Sequence, residues 1–322
     1  MGLSDSNQNN LTRISGQDCQ ETKEGNEKNM QIVKDGNGII IKDIKDFDLM
    51  QTLECGQCFH FEKLGEMEYA VVHGKYLLHI KQKENEFFCR DLTPDEFEHV
   101  WLEYFDLNRD YDRIKCHLVR ADERLEDAIR TNYGVRILNQ QFEETLMSFI
   151  ISQNKQIPHI KKIVRDISEK YGDYLGIIND MKFYAFPDRE QLKKITVQDY
   201  RACKTGFRAP YLFDASEKLS GPEFEIEELK KMGYEKAKER LISVKGVGEK
   251  VANCVLLFSL GYRNSFPVDV WIKRIMESMY FKKSADNSEI MQFAVERFGE
   301  YAGYAQQYLF YYARDKQLGK NI

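Results

Sequence analysis

At 322 residues, the chain holds material for two or three domains' worth of core. Its composition, 42% hydrophobic and 31% charged, is that of a folded soluble protein, and no apolar run is long enough to span a bilayer. A formal net charge of −5 excludes recognition of a polyanion through bulk charge, so any such function has to rest on a local basic surface.

In chain order, residues 1–30 come first, polar and almost free of large apolar side chains, as in DSNQNN and QETKEGNEKN. Such a segment buries too little surface to offset its chain entropy and is expected to be a disordered tail, with Met30 as an alternative start. MGLSDSNQNN lacks the basic start and apolar middle of a signal peptide, which points to an intracellular protein. The seven cysteines (19, 55, 58, 89, 116, 203 and 254) have no framework spacing and fit a reducing compartment.

From Gly38 to about Asp91 the pattern is β-like. GIIIKDI, YAVVH, YLLHIK and EFFCR are β-branched or aromatic runs separated by turn signals at Asp35-Gly36-Asn37-Gly38 and His73-Gly74-Lys75. The period then changes. Thr93-Pro94-Asp95-Glu96 reads as a capping box, followed by Phe97, Val100, Trp101 and Tyr104 at helical spacing. Onward the chain reads as almost wholly helical. The expectation is an α+β fold with an N-terminal antiparallel sheet domain over 31–130 and a two-part helical body over 131–322.

Within that body, Arg240-Leu-Ile-Ser-Val-Lys-Gly-Val-Gly-Glu-Lys-Val-Ala-Asn-Cys254 predicts a helix–hairpin–helix at about 237–260. Gly246 and Gly248 let the backbone come close to a guest, and the second helix points unpaired N–H groups and a positive dipole end at the same place, which suits phosphate. The same residues also make an ordinary helix corner with glycine at a C-cap, and GVG alone does not separate the two readings. Lys250 stands in the first turn of the second helix, where a cation is disfavoured. Nineteen residues on, Pro267-Val-Asp269-Val breaks the chain and sets Asp269 to cap another helix. A misplaced lysine and a capping aspartate suggest a nucleophile beside its electrostatic partner.

These motifs, with Gly56-Gln-Cys-Phe59, Ser152-Gln-Asn154, Gly206-Phe-Arg-Ala209 and Tyr301-Ala-Gly-Tyr-Ala-Gln306-Gln-Tyr-Leu-Phe310, resemble the 8-oxoguanine DNA glycosylases of the helix–hairpin–helix–GPD superfamily over about residues 38–315. The resemblance implies a bifunctional glycosylase and lyase acting on damaged duplex DNA, without cofactor, metal or membrane, as a monomer, cytoplasmic and nucleoid-associated if bacterial. It implies extrusion of the lesion from the stack. Lys250 would be the nucleophile, made neutral by burial and the helix N-terminus, and Asp269 the stabiliser of charge on the sugar. Gly56 would offer its carbonyl to the imidazole N–H that oxidation creates, Gln306 would read the Watson–Crick edge, and Phe310 and Cys254 would sandwich the purine. Asn154 would fill the vacated gap, Phe207 wedge the duplex and Arg208 read the orphaned cytosine. Lys155, Lys161, Lys162 and Arg165 make either a phosphate-facing surface or a solvated helix face. Better-known eukaryotic members have a second cytosine-reading arginine where this chain has His159, and a histidine where it has Trp271, so the resemblance is to the bacterial-type branch.

Rival readings remain. One is a glycosylase for another oxidised purine; another is a non-catalytic helix–hairpin–helix DNA-binding module, which would need neither Lys250 nor Asp269. A cluster-bearing sister enzyme would require four C-terminal cysteines, but the last cysteine is Cys254. Cys55-Gly-Gln-Cys58 invites a redox or zinc reading, yet it lacks the second ligand pair zinc needs and the βαβ setting of a redox motif. Both cysteines are expected to be small buried residues at a sheet edge.

Overall fold

The computed structural model describes residues 30–317, so the expected tail lies, but for Met30, outside the described residues. Six strands form one antiparallel sheet: β1 (Gln31–Asp35), β2 (Gly38–Lys42), β3 (Phe61–Gly65), β4 (Glu68–His73), β5 (Tyr76–Lys83) and β6 (Glu86–Arg90), in the order β1-β2-β6-β5-β4-β3. The anticipated turns join β1 to β2 and β4 to β5, pairing Asp35 with Gly38 and His73 with Tyr76. One face carries Ile39, Ile41, Phe87, Cys89, Ile80, Leu78, Tyr69 and Val71, packed against Phe97, Trp101 and Phe105. This is the α+β arrangement the hydrophobic periods call for.

Beyond β1 and β3, which none of the β-like runs covers, three details differ from the sequence pattern. Within the β-like region, Leu49–Glu54 is helical (α1), started by Asp48, whose carboxylate accepts the Gln51 N–H at 2.8 Å, with Leu49 and Leu53 buried at i and i+4. The helix after Thr93 is broken: Pro94–Glu96 leads into a π-helical turn, Phe97–Trp101, before Leu102–Tyr104 resumes. That turn leaves Phe97, Trp101 and Tyr104 all facing the core.

The third difference lies in the helical body, which runs through α2 (Tyr111–Ala121), α3 (Phe142–Ser152), α4 (Ile157–Tyr171), a hairpin of β7 (Tyr174–Ile178) and β8 (Met181–Tyr184), α5 (Ala209–Leu219), α6 (Tyr234–Ile242), α7 (Glu249–Phe258), α8 (Val270–Met276), α9 (Asn287–Phe298) and α10 (Ala302–Asp315), with shorter turns between. The hairpin was not expected. It lays Phe183 against Ala70 and Val72, on the face of β4 opposite the main core. The body's own core gathers α3, α7 and α10 around Leu146, Ile150, Val255, Leu256 and Leu309. Among the described residues, no helix is long and apolar enough to cross a membrane.

Candidate active site

The hairpin forms as its sequence dictates. Helix α6 ends at Ile242, the Val247 N–H bonds to the Val244 carbonyl at 3.0 Å, and Gly248 is the N-cap of α7. The two glycines do different jobs. Gly246 has φ +80° and a Cβ there would stand 2.3 Å from the Tyr211 ring, so its close approach is to the protein itself; a Cβ on Gly248 would meet nothing. The start of α7 has no side-chain cap, and its free N–H groups are the ones a phosphate would use.

Lys250 is half-buried in the first turn of α7, its Nζ 5.0 Å from the centroid of the Phe149 ring. Phe149 in turn stacks on Phe258. Asp269 caps α8, its Oδ1 accepting the Ile272 N–H at 2.8 Å. Burial raises the pKa of its carboxyl above the ordinary value; the Ile272 N–H, Lys250, the Trp271 N–H and Arg314 pull it back. The Cys254 thiol, one turn along α7 from Lys250, is pushed up to about 11 by burial, with Lys250 opposing and Asp269 adding to the rise. Lysine, aspartate and thiol thus lie within one electrostatic neighbourhood.

Helix α10 closes it. Gln306 is 4% exposed, and its Nε2 donates to the Pro267 carbonyl at 3.2 Å, two residues before Asp269. Its Oε1 has no partner, an orphaned acceptor where a purine edge would supply a donor. One turn on, Phe310 lies 3.5 Å from where a Cβ on Gly56 would be, and Gly56 has φ +97°. Gln57 anchors the loop from below: its amide donates to the carbonyls of Thr52 and Arg136 and accepts the Leu138 N–H. Arg314, another turn along α10, donates to the Cys55 carbonyl at 2.8 Å and to the Glu54 carbonyl at 2.7 Å.

Cys55 lies at the C-terminal cap of α1, not on a sheet edge, because the preceding segment is helical. Cys55 and Cys58 are both buried free thiols, and burial raises the pKa of each, which disfavours the thiolate that redox or zinc chemistry requires. Among the described residues, no group of three or more His, Cys, Asp or Glu is placed to hold a metal ion.

At the outer edge, Asn154 is exposed in a left-handed conformation (φ +52°) just past α3, and Phe207 stands 58% exposed. Lys155 and His159 follow on the same rim, half-buried and exposed. Arg208 is turned inward. It is 4% exposed, donates to the carbonyls of Thr205 and Gln153 and lies over the Phe207 ring, with its Nε unpartnered. Of the α4 cations, Lys161 and Arg165 pair with Glu62 and Lys162 with Asp166, so each has a carboxylate partner, while Lys161 also packs over the Phe61 ring. Gln153 escaped notice in the sequence although it ties the Asn154 loop to the hairpin through the Gly246 carbonyl at 3.0 Å. Arg314 was also missed, although it follows Gln306 and Phe310 at helical spacing.

An uncapped helix–hairpin–helix followed by a lysine and a helix-capping aspartate defines a class: residues 147–300 match the model of the HhH-GPD superfamily base excision DNA repair proteins. Residues 39–146 match that of the 8-oxoguanine DNA glycosylase N-terminal domain. The N-glycosylase/DNA lyase of Saccharomyces cerevisiae is 30% identical over 84% of this chain and 83% of its own length. The probable N-glycosylase/DNA lyase of Methanothermobacter thermautotrophicus is 31% identical over 67% and 75%. The Clostridium acetobutylicum 8-oxoguanine glycosylase/lyase, solved with double-stranded DNA containing cytosine opposite 8-oxoG, superposes with a TM-score of 0.85 at 37% identity, covering 90% of this chain and 98% of that one. The chain belongs to the 8-oxoguanine DNA glycosylase family.

Proposed function

We propose that the protein extrudes 8-oxoguanine from duplex DNA, excises it and then cleaves the strand. The Lys250 amine attacks C1′ of the lesion nucleotide; the N-glycosidic bond breaks and its electron pair leaves with the base. Asp269 stabilises the positive charge that builds on the sugar. Loss of the amine protons and opening of the sugar ring give a Schiff base, from which removal of a C2′ proton expels the 3′ phosphate. The observation that carries this reading is the shared neighbourhood of Lys250, Asp269 and Cys254 behind the uncapped start of α7.

The base is held between Phe310 and Cys254, with the Gln306 amide on its Watson–Crick edge and the Gly56 carbonyl on the imidazole N–H. Normal guanine has an acceptor at that nitrogen and would leave the carbonyl unpaired, so one bond discriminates. Asn154 and Phe207 occupy the distorted duplex, while Lys155 and the backbone at Gly246–Gly248 meet phosphates. A site that needs no second subunit fits action as a monomer; the working place is inside the cell, in the cytoplasm at the nucleoid if the source is bacterial.

Borohydride trapping on duplexes carrying single lesions tests the assignment. Lys250→Gln is expected to lose base release and trapping together, and a trappable Lys250→Gln protein would end the nucleophile role. With His159 where a cytosine-reading arginine would stand, excision rates opposite cytosine, adenine, guanine and thymine are expected to differ little. Strict dependence on cytosine would contradict that.

A further inference from the structure

We propose that Arg314 is the positioning residue that aims the Gly56 carbonyl, and so a determinant of lesion specificity from outside the contact surface with the base. The inference rests on the reading of the site given above. Its Nη1 bonds the Cys55 carbonyl and its Nη2 the Glu54 carbonyl, so both arms of the guanidinium are spent on the end of α1. The Cys55 carbonyl belongs to the peptide plane that leads into Gly56. On the far side, Gln57 is completely buried, its side chain fixed to Thr52, Arg136 and Leu138 and its carbonyl accepting from Gln140 at 2.8 Å. Gly56 is a hinge clamped at both ends, and with both neighbours fixed its carbonyl has one direction.

The Gln57 clamp comes from the core beneath the loop; the Arg314 clamp comes from the helix that carries Gln306 and Phe310. These three residues are spaced by four along α10, so the carbonyl on one edge of the purine and the amide on the other are referred to one rigid element. Gln307, on the same helix, adds a bond from its Nε2 to the Cys55 sulfur at 2.9 Å. A guanidinium suits the task because its planar fork holds two acceptors at once; an ammonium is a point charge and does not fix a plane.

The test separates base recognition from strand cleavage. A preformed abasic site has no base to recognise but still needs Lys250. For Arg314→Ala and Arg314→Lys, the single-turnover excision rate on 8-oxoguanine duplexes is expected to fall about tenfold or more. Cleavage of an abasic-site duplex by Arg314→Lys, which keeps the positive charge that Asp269 feels, is expected to stay within about twofold of the wild type. Wild-type excision by Arg314→Ala, parallel loss of excision and abasic-site cleavage in Arg314→Lys, or full rescue by Arg314→Lys would each overturn the proposal, the last by showing that charge alone suffices. Should Arg314→Ala not fold, Arg314→Lys carries the test alone. A wild-type protein that excised no oxidised guanine would overturn the functional reading instead.

Discussion

A single methyl group at position 56 would stand 2.9 Å from Nη1 of Arg314 and 3.5 Å from the Phe310 ring, on a backbone at φ +97° that side chains avoid. Gly56→Ala is therefore expected to lower 8-oxoguanine excision by at least about tenfold in single-turnover assays. Cys55→Ser should retain near-wild-type rates, because a hydroxyl can keep the bonds that the Cys55 sulfur makes to the Thr52 carbonyl and from Gln307. The reverse outcome would return the function of the loop to its thiols. Lys250 and Asp269 stand out in the sequence by their places at helix starts behind Gly246-Val-Gly248 and Pro267, whereas Gln306 and Phe310 are singled out only by the family resemblance. Arg314 and Gln153 were not legible there, since their partners are backbone carbonyls, and a carbonyl has no sequence signature. The inward pose of Arg208 was also illegible: spacing locates a side chain but leaves its rotamer open.

Among the elements, the β7–β8 hairpin shows what pattern reading passes over. Its strands are five and four residues long, and its turn is Asn179-Asp180, both at positive φ, a two-residue connection of the kind that matches strand twist. Set among helices, so short a period-2 signal is outweighed by the longer apolar spacing on either side. Its purpose is visible only in three dimensions, where Phe183 covers Ala70 and Val72 of β4. Phe183→Ala should cost about 3 kcal/mol in denaturant unfolding while abasic-site cleavage by the folded protein is unchanged. A cost below about 0.5 kcal/mol would mean that the hairpin is not a working cover for the sheet. Helix α1 was missed for a related reason: one and a half turns resemble a strand unless the Asp48 cap is recognised.

At the scale of the whole molecule, sheet and helical body are joined by charges that the sequence would place in solvent. Lys115 is fully buried, its Nζ bonded to Asp46 at 2.7 Å and lying over the Tyr133 ring. Arg136 donates to the carbonyls of Asp46, Lys45 and Asp106. These partners lie as far as 91 residues away along the chain, beyond the reach of any local pattern. Burial moves Lys115 down from 10.5 to about 8, with Asp46 opposing. Between those values the unfolded chain binds more protons than the folded one, so this group's penalty is full below pH 8 and relieved as pH rises toward 10.5. The stability of the wild type minus that of Lys115→Met should therefore climb across the window, by about 3 kcal/mol at most, in denaturant titrations. A flat difference would show that the lysine titrates as it does in water. The packing of Gly246 on Tyr211 has a last consequence. Tyr211 also meets the Phe207 ring edge-on at 6.2 Å, so the phosphate turn and the exposed ring ride on one helix, α5, like the jaws of a locked caliper. With the roles proposed here, the shared contact with Tyr211 resists a change in the gap, and the duplex is expected to deform to fit it. A site whose stacking is already weakened yields at lower cost, so the stiffness of the DNA is interrogated before any atom of the base is.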